Sequence, residues 1–137
     1  VYLPVDAKFP QEAYHHLTDA YDNGDADAIE TASRSLEAII KKMARDIQEK
    51  YIDPPNTTDF GIMFLPFECV FAEVIRRSEL IEQLQRDSRI MVTGPTTLAA
   101  ILNSLQMGFK TLAIQQRSSE VWKVLGAIKT EFGKFVM

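Results

Sequence analysis

The run Phe60-Gly61-Ile62-Met63-Phe64-Leu65 is apolar without interruption, is of strand length, and is closed by Pro66. A strand with one face in water alternates polar and apolar residues. A run with no alternation belongs to a strand covered on both faces, as central strands of parallel sheets are. Such a strand needs a neighbour on each side and helices above and below. Ile90-Met91-Val92 supplies a second short apolar strand, and the opening stretch from Val1 to Pro10 supplies a third, which Pro10 ends. Helical patterns separate all three, and strands separated by helices imply crossover connections and largely parallel neighbours. The expected class is therefore α/β, with a small sheet flanked by helices.

Gln11 to about Tyr21 has the spacing of a helix, with Ala13, Tyr14, Leu17 and Tyr21 on one side. Asp22-Asn23-Gly24-Asp25 is a turn by composition. Asp27 followed by Glu30 resembles a capping box. A long helix to about Tyr51 follows, with Ile29, Ala32, Leu36, Ile39, Ile40, Met43 and Ile47 on its packed face. Asp53-Pro54-Pro55 opens a loop that runs to Asp59. A further helix is predicted from Glu68 to about Arg86, with Phe71, Val74, Ile75, Ile81 and Leu84 inward. After Gly94-Pro95-Thr96-Thr97, with Pro95 at the first helical position, Leu98, Ile101, Leu102, Leu105, Phe109 and Leu112 mark another helix. Ser118 or Ser119 then caps a last one, whose stripe is Val121, Val124, Leu125, Ile128, Phe132 and Phe135. The predicted order is β-α-α-β-α-β-α-α. Three strands are few for a doubly covered sheet. The chain also opens inside a strand and closes inside a helical period, so it reads as one domain, residues 1–137, cut from a longer protein with its upstream strands outside the sequence.

The 46% hydrophobic content over 137 residues allows a core without staples. The lone Cys69 excludes an internal disulfide, reads as a small buried hydrophobe, and fits a reducing, cytoplasmic setting. No apolar run approaches the roughly 20 residues of a membrane span, so no membrane contact is expected. The net charge of −4 argues against nucleic-acid binding by bulk charge, though not against a local basic groove.

If the strands are parallel, their carboxyl ends converge on one edge, where α/β proteins place their sites. The first strand brings Asp6 and Lys8 to one face, because side chains two apart on a strand point the same way, with Val5 and Ala7 on the other. Such a pair suits a divalent cation and a polarised water or phosphate; on spacing alone a structural or solvated ion pair is the commoner outcome. Glu68 stands just past the second strand, as a metal ligand or as a charge favouring a helix N-terminus. The third strand ends in Thr93, and Thr96 and Thr97 follow, offering N–H groups and hydroxyls to a phosphate or simply capping a helix. His15 and His16 are adjacent and point about 100° apart on a helix, so they do not form a metal pair. Trp122 and Phe109 read as core. The basic side chains of the long helices are interleaved with acids and read as solvated faces. There is no phosphate-binding Gly-rich loop, no zinc spacing and no Ser-His-Asp set.

Three stretches, Val5-Asp6-Ala7-Lys8, Asp59-Phe60-Gly61-Ile62-Met63-Phe64-Leu65-Pro66-Phe67-Glu68, and Val92-Thr93-Gly94-Pro95-Thr96-Thr97-Leu98, resemble the RmuC family of DNA recombination proteins. That family carries I/V-D-S/A-K, D-F-V-x-M-F-V/L-P-x-E and S-P-T-T-L stretches in this order and at similar spacing, so the likeness covers essentially the whole chain. Gly94 departs from the family's serine-containing turn. The resemblance implies a core similar to the PD-(D/E)xK restriction-endonuclease-like fold, with Asp6 and Lys8 at the metal-binding carboxylate and lysine. It implies a second carboxylate from a preceding strand, which this sequence lacks, and makes Gln11 and Glu12 candidates on the helix that follows. Asp6 with the Ala7 carbonyl would hold Mg²⁺, preferred over Zn²⁺ because the donors are hard oxygens, and Lys8 would orient water and offset phosphate charge. The implied function is a metal-dependent DNA endonuclease domain; the alternative is a DNA-binding or protein-interaction scaffold on the same fold. The family's membrane anchor and coiled coil are not in this sequence, and oligomerisation is expected through the C-terminal helix or that coiled coil.

Overall fold

The computed structural model describes the backbone of residues 1–136 and the side chains of residues 1–125. The order is β1 (Val5–Ala7), α1 (Gln11–Asn23), α2 (Ala26–Tyr51), β2 (Gly61–Phe64), α3 (Glu68–Ile75), α4 (Ser78–Gln83), a π-helical turn (Leu84–Ser88), β3 (Ile90–Thr93) and α5 (Pro95–Val136). Residues 1–98 make one compact unit and residues 99–137 another.

The uninterrupted apolar run becomes β2, which lies between β1 and β3 and is parallel to both. Val5, Asp6 and Ala7 pair with Ile62, Met63 and Phe64, which pair in turn with Met91, Val92 and Thr93. Residues in register share a face, so Met63 and Val92, with Leu65 and Ile90, pack on the buried stripe of α2: Ala32, Leu36, Ile40, Ala44 and Ile47. The other face keeps Ile62 fully buried but leaves Val5 and Met91 exposed. α1 adds Ala13, Leu17 and Ala20 to the core. Gly24, at φ 65°, closes α1 in the left-handed conformation that glycine adopts without a Cβ penalty. The cap of α2 falls on Asp25 and not on Asp27: Asp25 is extended, and its carboxylate accepts from the N–H of Asp27 at 3.1 Å and of Ala28 at 3.4 Å. Ile39, Tyr21 and Ile75 are exposed, and so is Cys69, contrary to its reading as a buried hydrophobe.

Two helices differ from the sequence reading. The segment from Glu68 to Arg86 is broken at Arg77. Its N–H donates to Val74, one residue nearer than in an α-helix. Its guanidinium turns back on the Glu73 carbonyl and pairs with the Glu73 carboxylate at 3.4 Å, with Ser33 at 2.8 Å and with Glu37 at 3.6 Å. A nearly buried cation with several oxygen partners, two of them on α2, outweighs one more helical turn. The two final helices are in fact one, α5, with no break at Ser118 or Ser119. Nothing from Ala113 to Glu120 is glycine or proline, and serine alone does not stop a helix. What changes there is the apolar face: from Leu105 to Val121 an ideal helix turns through roughly 160° net, at about 100° per residue. Leu102, Leu105, Phe109, Leu112, Val121, Trp122, Val124 and Leu125 are exposed, so Phe109 and Trp122 are not core. Ile128, Phe132 and Phe135 lie outside the described side chains. No helix among the described residues is long and apolar enough to cross a membrane.

Gly94 joins β3 to α5 under Phe71, and a Cβ there would lie 2.9 Å from three atoms of that ring side chain. Gly94→Ala is expected to cost about 1–3 kcal/mol by overpacking. In a Phe71→Leu background the cost should shrink. Urea denaturation of the four-protein cycle checks this, and equal penalties in both backgrounds would contradict it.

Candidate functional site at the carboxyl edge of the sheet

Because the strands are parallel, their carboxyl ends face the same way, and the ladder runs one residue past each: the Lys8 N–H donates to the Phe64 carbonyl at 2.9 Å and the Leu65 N–H to the Thr93 carbonyl at 2.8 Å. Lys8 Nζ meets Asp6 Oδ2 at 3.1 Å, with both side chains about a quarter exposed. The i, i+2 spacing that the sequence displays therefore becomes a real ion pair. In a parallel ladder alternate residues turn their peptide groups to opposite sides. The Pro4 carbonyl and the Lys8 N–H bond to β2, so the Ala7 peptide groups face the outer edge, where the described residues place no strand. A carboxylate and a carbonyl thus lie on consecutive residues of an open strand edge.

Glu68 is the first residue of α3, and its Oε1 accepts the Thr96 N–H at 2.6 Å. The start of α5 explains the tie. Gly94 has no side chain to cap with, Pro95 has no N–H, and Thr96 is the first residue that needs an acceptor. Glu68 provides it from another element. Hydrogen bonding to Thr96, through its side chain first and its backbone second, holds the Glu68 carboxyl below the usual carboxylate range. Thr96 itself is exposed, Thr97 is half-buried, and Thr93 is fully buried with its Oγ1 unpartnered.

Gln11 and Glu12 are exposed in the first turn of α1. They line an open groove of about 570 Å³ with Phe9, His15, His16 and Met43. Among the described residues no three His, Cys, Asp or Glu side chains come together as a ligand set for an ion. The sequence reading missed an aromatic pair: Phe9 follows Lys8, Phe67 precedes Glu68, and their ring centroids lie 4.9 Å apart at an interplanar angle of 42°. The only signal was that each flanks a charged residue at a strand end; their meeting depends on the β1–β2 register.

A parallel-sheet α/β domain with an Asp-x-Lys pair on its edge strand is the class that this geometry defines. Within that class the chain belongs to the RmuC family, whose profile matches residues 1–137. It is 57% identical over 135 residues to the "DNA recombination protein RmuC homolog" of Xylella fastidiosa, covering 98% of this chain and 30% of that protein. It is 30% identical over 142 residues to the homolog of the same name from Neisseria meningitidis, covering 93% of this chain and 23% of that protein. To that of Chlamydia pneumoniae it is 27% identical over 120 residues, 87% of this chain and 27% of that protein. The chain spans less than a third of the length of these relatives. No solved structure matches it.

The Glu68 cap has a pH signature. Its carboxyl is depressed in the folded state, so its contribution is fully present above the unfolded value, near 4.5, and is lost as pH falls through the lower folded value. Glu68→Gln should be less stable than the wild type at pH 7, and the gap should close as pH drops below the unfolded value. Denaturant midpoints measured from pH 7 to pH 3 check this; a gap independent of pH would assign the loss to packing.

Proposed function

We propose that this chain is the part of a DNA-processing nuclease that carries the catalytic Asp-x-Lys strand, acting on a DNA phosphodiester with Mg²⁺. The observation that supports it is the Asp6–Lys8 ion pair, at 3.1 Å on the edge strand of a parallel sheet. The relatives' name, DNA recombination protein RmuC homolog, agrees with it. The donor chemistry fits a hard cation: the Asp6 carboxylate and the Ala7 carbonyl are oxygen ligands, and Mg²⁺ is commonly held by one or two carboxylates with waters and substrate phosphate completing the shell. When bound, the ion would supply Lewis acidity toward the phosphate. Lys8, held beside Asp6, offsets the charge of the phosphate and orients the attacking water. The open edge beyond Ala7 is where a preceding strand with a second acid would pair in a restriction-endonuclease-like core. Thr96 and Thr97 offer hydroxyls to a neighbouring phosphate, while Gln11 and Glu12 stand at the start of the helix after the pair.

A second reading is favoured by a specific observation. Glu68 is engaged in capping α5, and the described residues gather no three-ligand set. On that reading the fold is kept as a scaffold for DNA or protein, and Asp6–Lys8 is a structural pair. Cleavage of linear and branched DNA with Mg²⁺ or Mn²⁺, by a form that includes the preceding strand, separates the two. The nuclease reading expects metal-dependent cutting that falls on the order of 100-fold or more in both Asp6→Asn and Lys8→Ala. A folded, DNA-binding protein that cuts nothing would establish the scaffold.

A further inference from the structure

Phe9 and Phe67 are 37% and 51% exposed, although their rings touch. Neither belongs to the buried core. They arrive from different strands, Phe9 beyond the end of β1 and Phe67 beyond the end of β2, and each is the immediate chain neighbour of a charged residue of the carboxyl edge, Lys8 and Glu68. Two tilted aromatic rings left in solvent give an apolar π surface at the same strand ends that carry Lys8, whose ammonium pairs with Asp6. Phe9 also lines the open groove between α1 and α2, about 570 Å³ in volume, together with Gln11, His16, Ile39 and Met43. That space is large enough for a nucleotide, and its polar rim carries donors for a base edge or a phosphate.

We propose that Phe9 and Phe67 form a stacking platform for an unpaired nucleobase, so that the DNA engaged at this edge is single-stranded or frayed next to the Asp6–Lys8 pair. This rests on the DNA reading given above and deepens it by naming the form of DNA. A base in an intact duplex is stacked on its neighbours and does not present its face to a protein ring; an unpaired base does. Stacking on aromatic rings is sequence-tolerant, because every base has a π face. It needs no broad basic surface, which suits a chain of net charge −4. The backbone charge adjacent to the stacked base falls to Lys8, so the platform and the ion pair serve one nucleotide step.

The test is binding without cleavage, in EDTA at low salt, to a single-stranded oligonucleotide carrying a fluorescent aminopurine base and to a blunt duplex of the same sequence. The platform predicts that the aminopurine emission is quenched on binding and that the single strand is preferred. Phe9→Ala and Phe67→Ala should each weaken single-strand binding on the order of 10-fold while leaving duplex binding unchanged, and Phe67→Trp should retain it. Near- and far-ultraviolet circular dichroism verifies that the variants fold. Single-strand binding unchanged in both alanine variants, or equal losses for single strand and duplex, overturns the platform while the DNA reading stands. A wild-type chain that binds neither DNA overturns both. A change of oligomeric state in the Phe67→Ala variant by light scattering, with DNA binding intact, assigns the rings to contact with a second copy and also overturns the platform.

Discussion

The parallel pairing of β2 with a neighbour on each side is the constraint on which the rest depends. β2 can be buried because its peptide groups are satisfied by both neighbours, and it can be apolar throughout because it is covered on both faces. The same pairing sends the three strand ends in one direction and brings Lys8, Leu65 and Gly94 to the same level of the sheet. Every feature of the edge is a consequence: the ion pair on β1, the acid that opens α3, the start of α5, and the contact between Phe9 and Phe67.

Charged side chains along the crossovers are occupied in holding elements together. Glu68 stands in for the cap that Gly94 cannot supply, and so ties α3 to α5. Arg77 ends α3 by taking over a carbonyl and anchors the junction on α2 through Ser33 and Glu37. Arg89 sits in the left-handed region at φ 55°, where its carbonyl accepts from Gly61 and its guanidinium pairs with Asp59 at 3.1 Å. These ties fix the two crossovers that deliver β2 and β3 to their places. Asp6 and Lys8, by contrast, pair only with each other among the described residues, on the strand with an open edge. They take no part in the ties between elements that Glu68 makes with α5.

What could be read from the chain follows the range of the forces involved. The strand positions, most of the packed face of α2 (though not the buried Ala44 or the exposed Ile39) and the side-by-side placement of Asp6 and Lys8 come from local periodicity and are legible in the residue pattern. The break at Arg77 is not, because its partners Ser33 and Glu37 lie on a helix far away in sequence. Nor is the unbroken α5, because a change of apolar face between Leu112 and Val121 looks, in one dimension, like the end of a helix. The capping role of Glu68 and the Phe9–Phe67 contact both depend on strand register, which the residue pattern does not specify.

The claim that the carboxyl edge offers Asp6 to a hard cation is tested most directly by metal binding in the absence of DNA. In an amide NMR titration of the chain with Mn²⁺, paramagnetic broadening should appear first at Asp6, Ala7 and Lys8, should recede on adding Mg²⁺, and should be absent from these residues in Asp6→Asn. Broadening centred on other acidic residues, or unchanged by Asp6→Asn, would contradict the account and leave the Asp6–Lys8 pair a structural one.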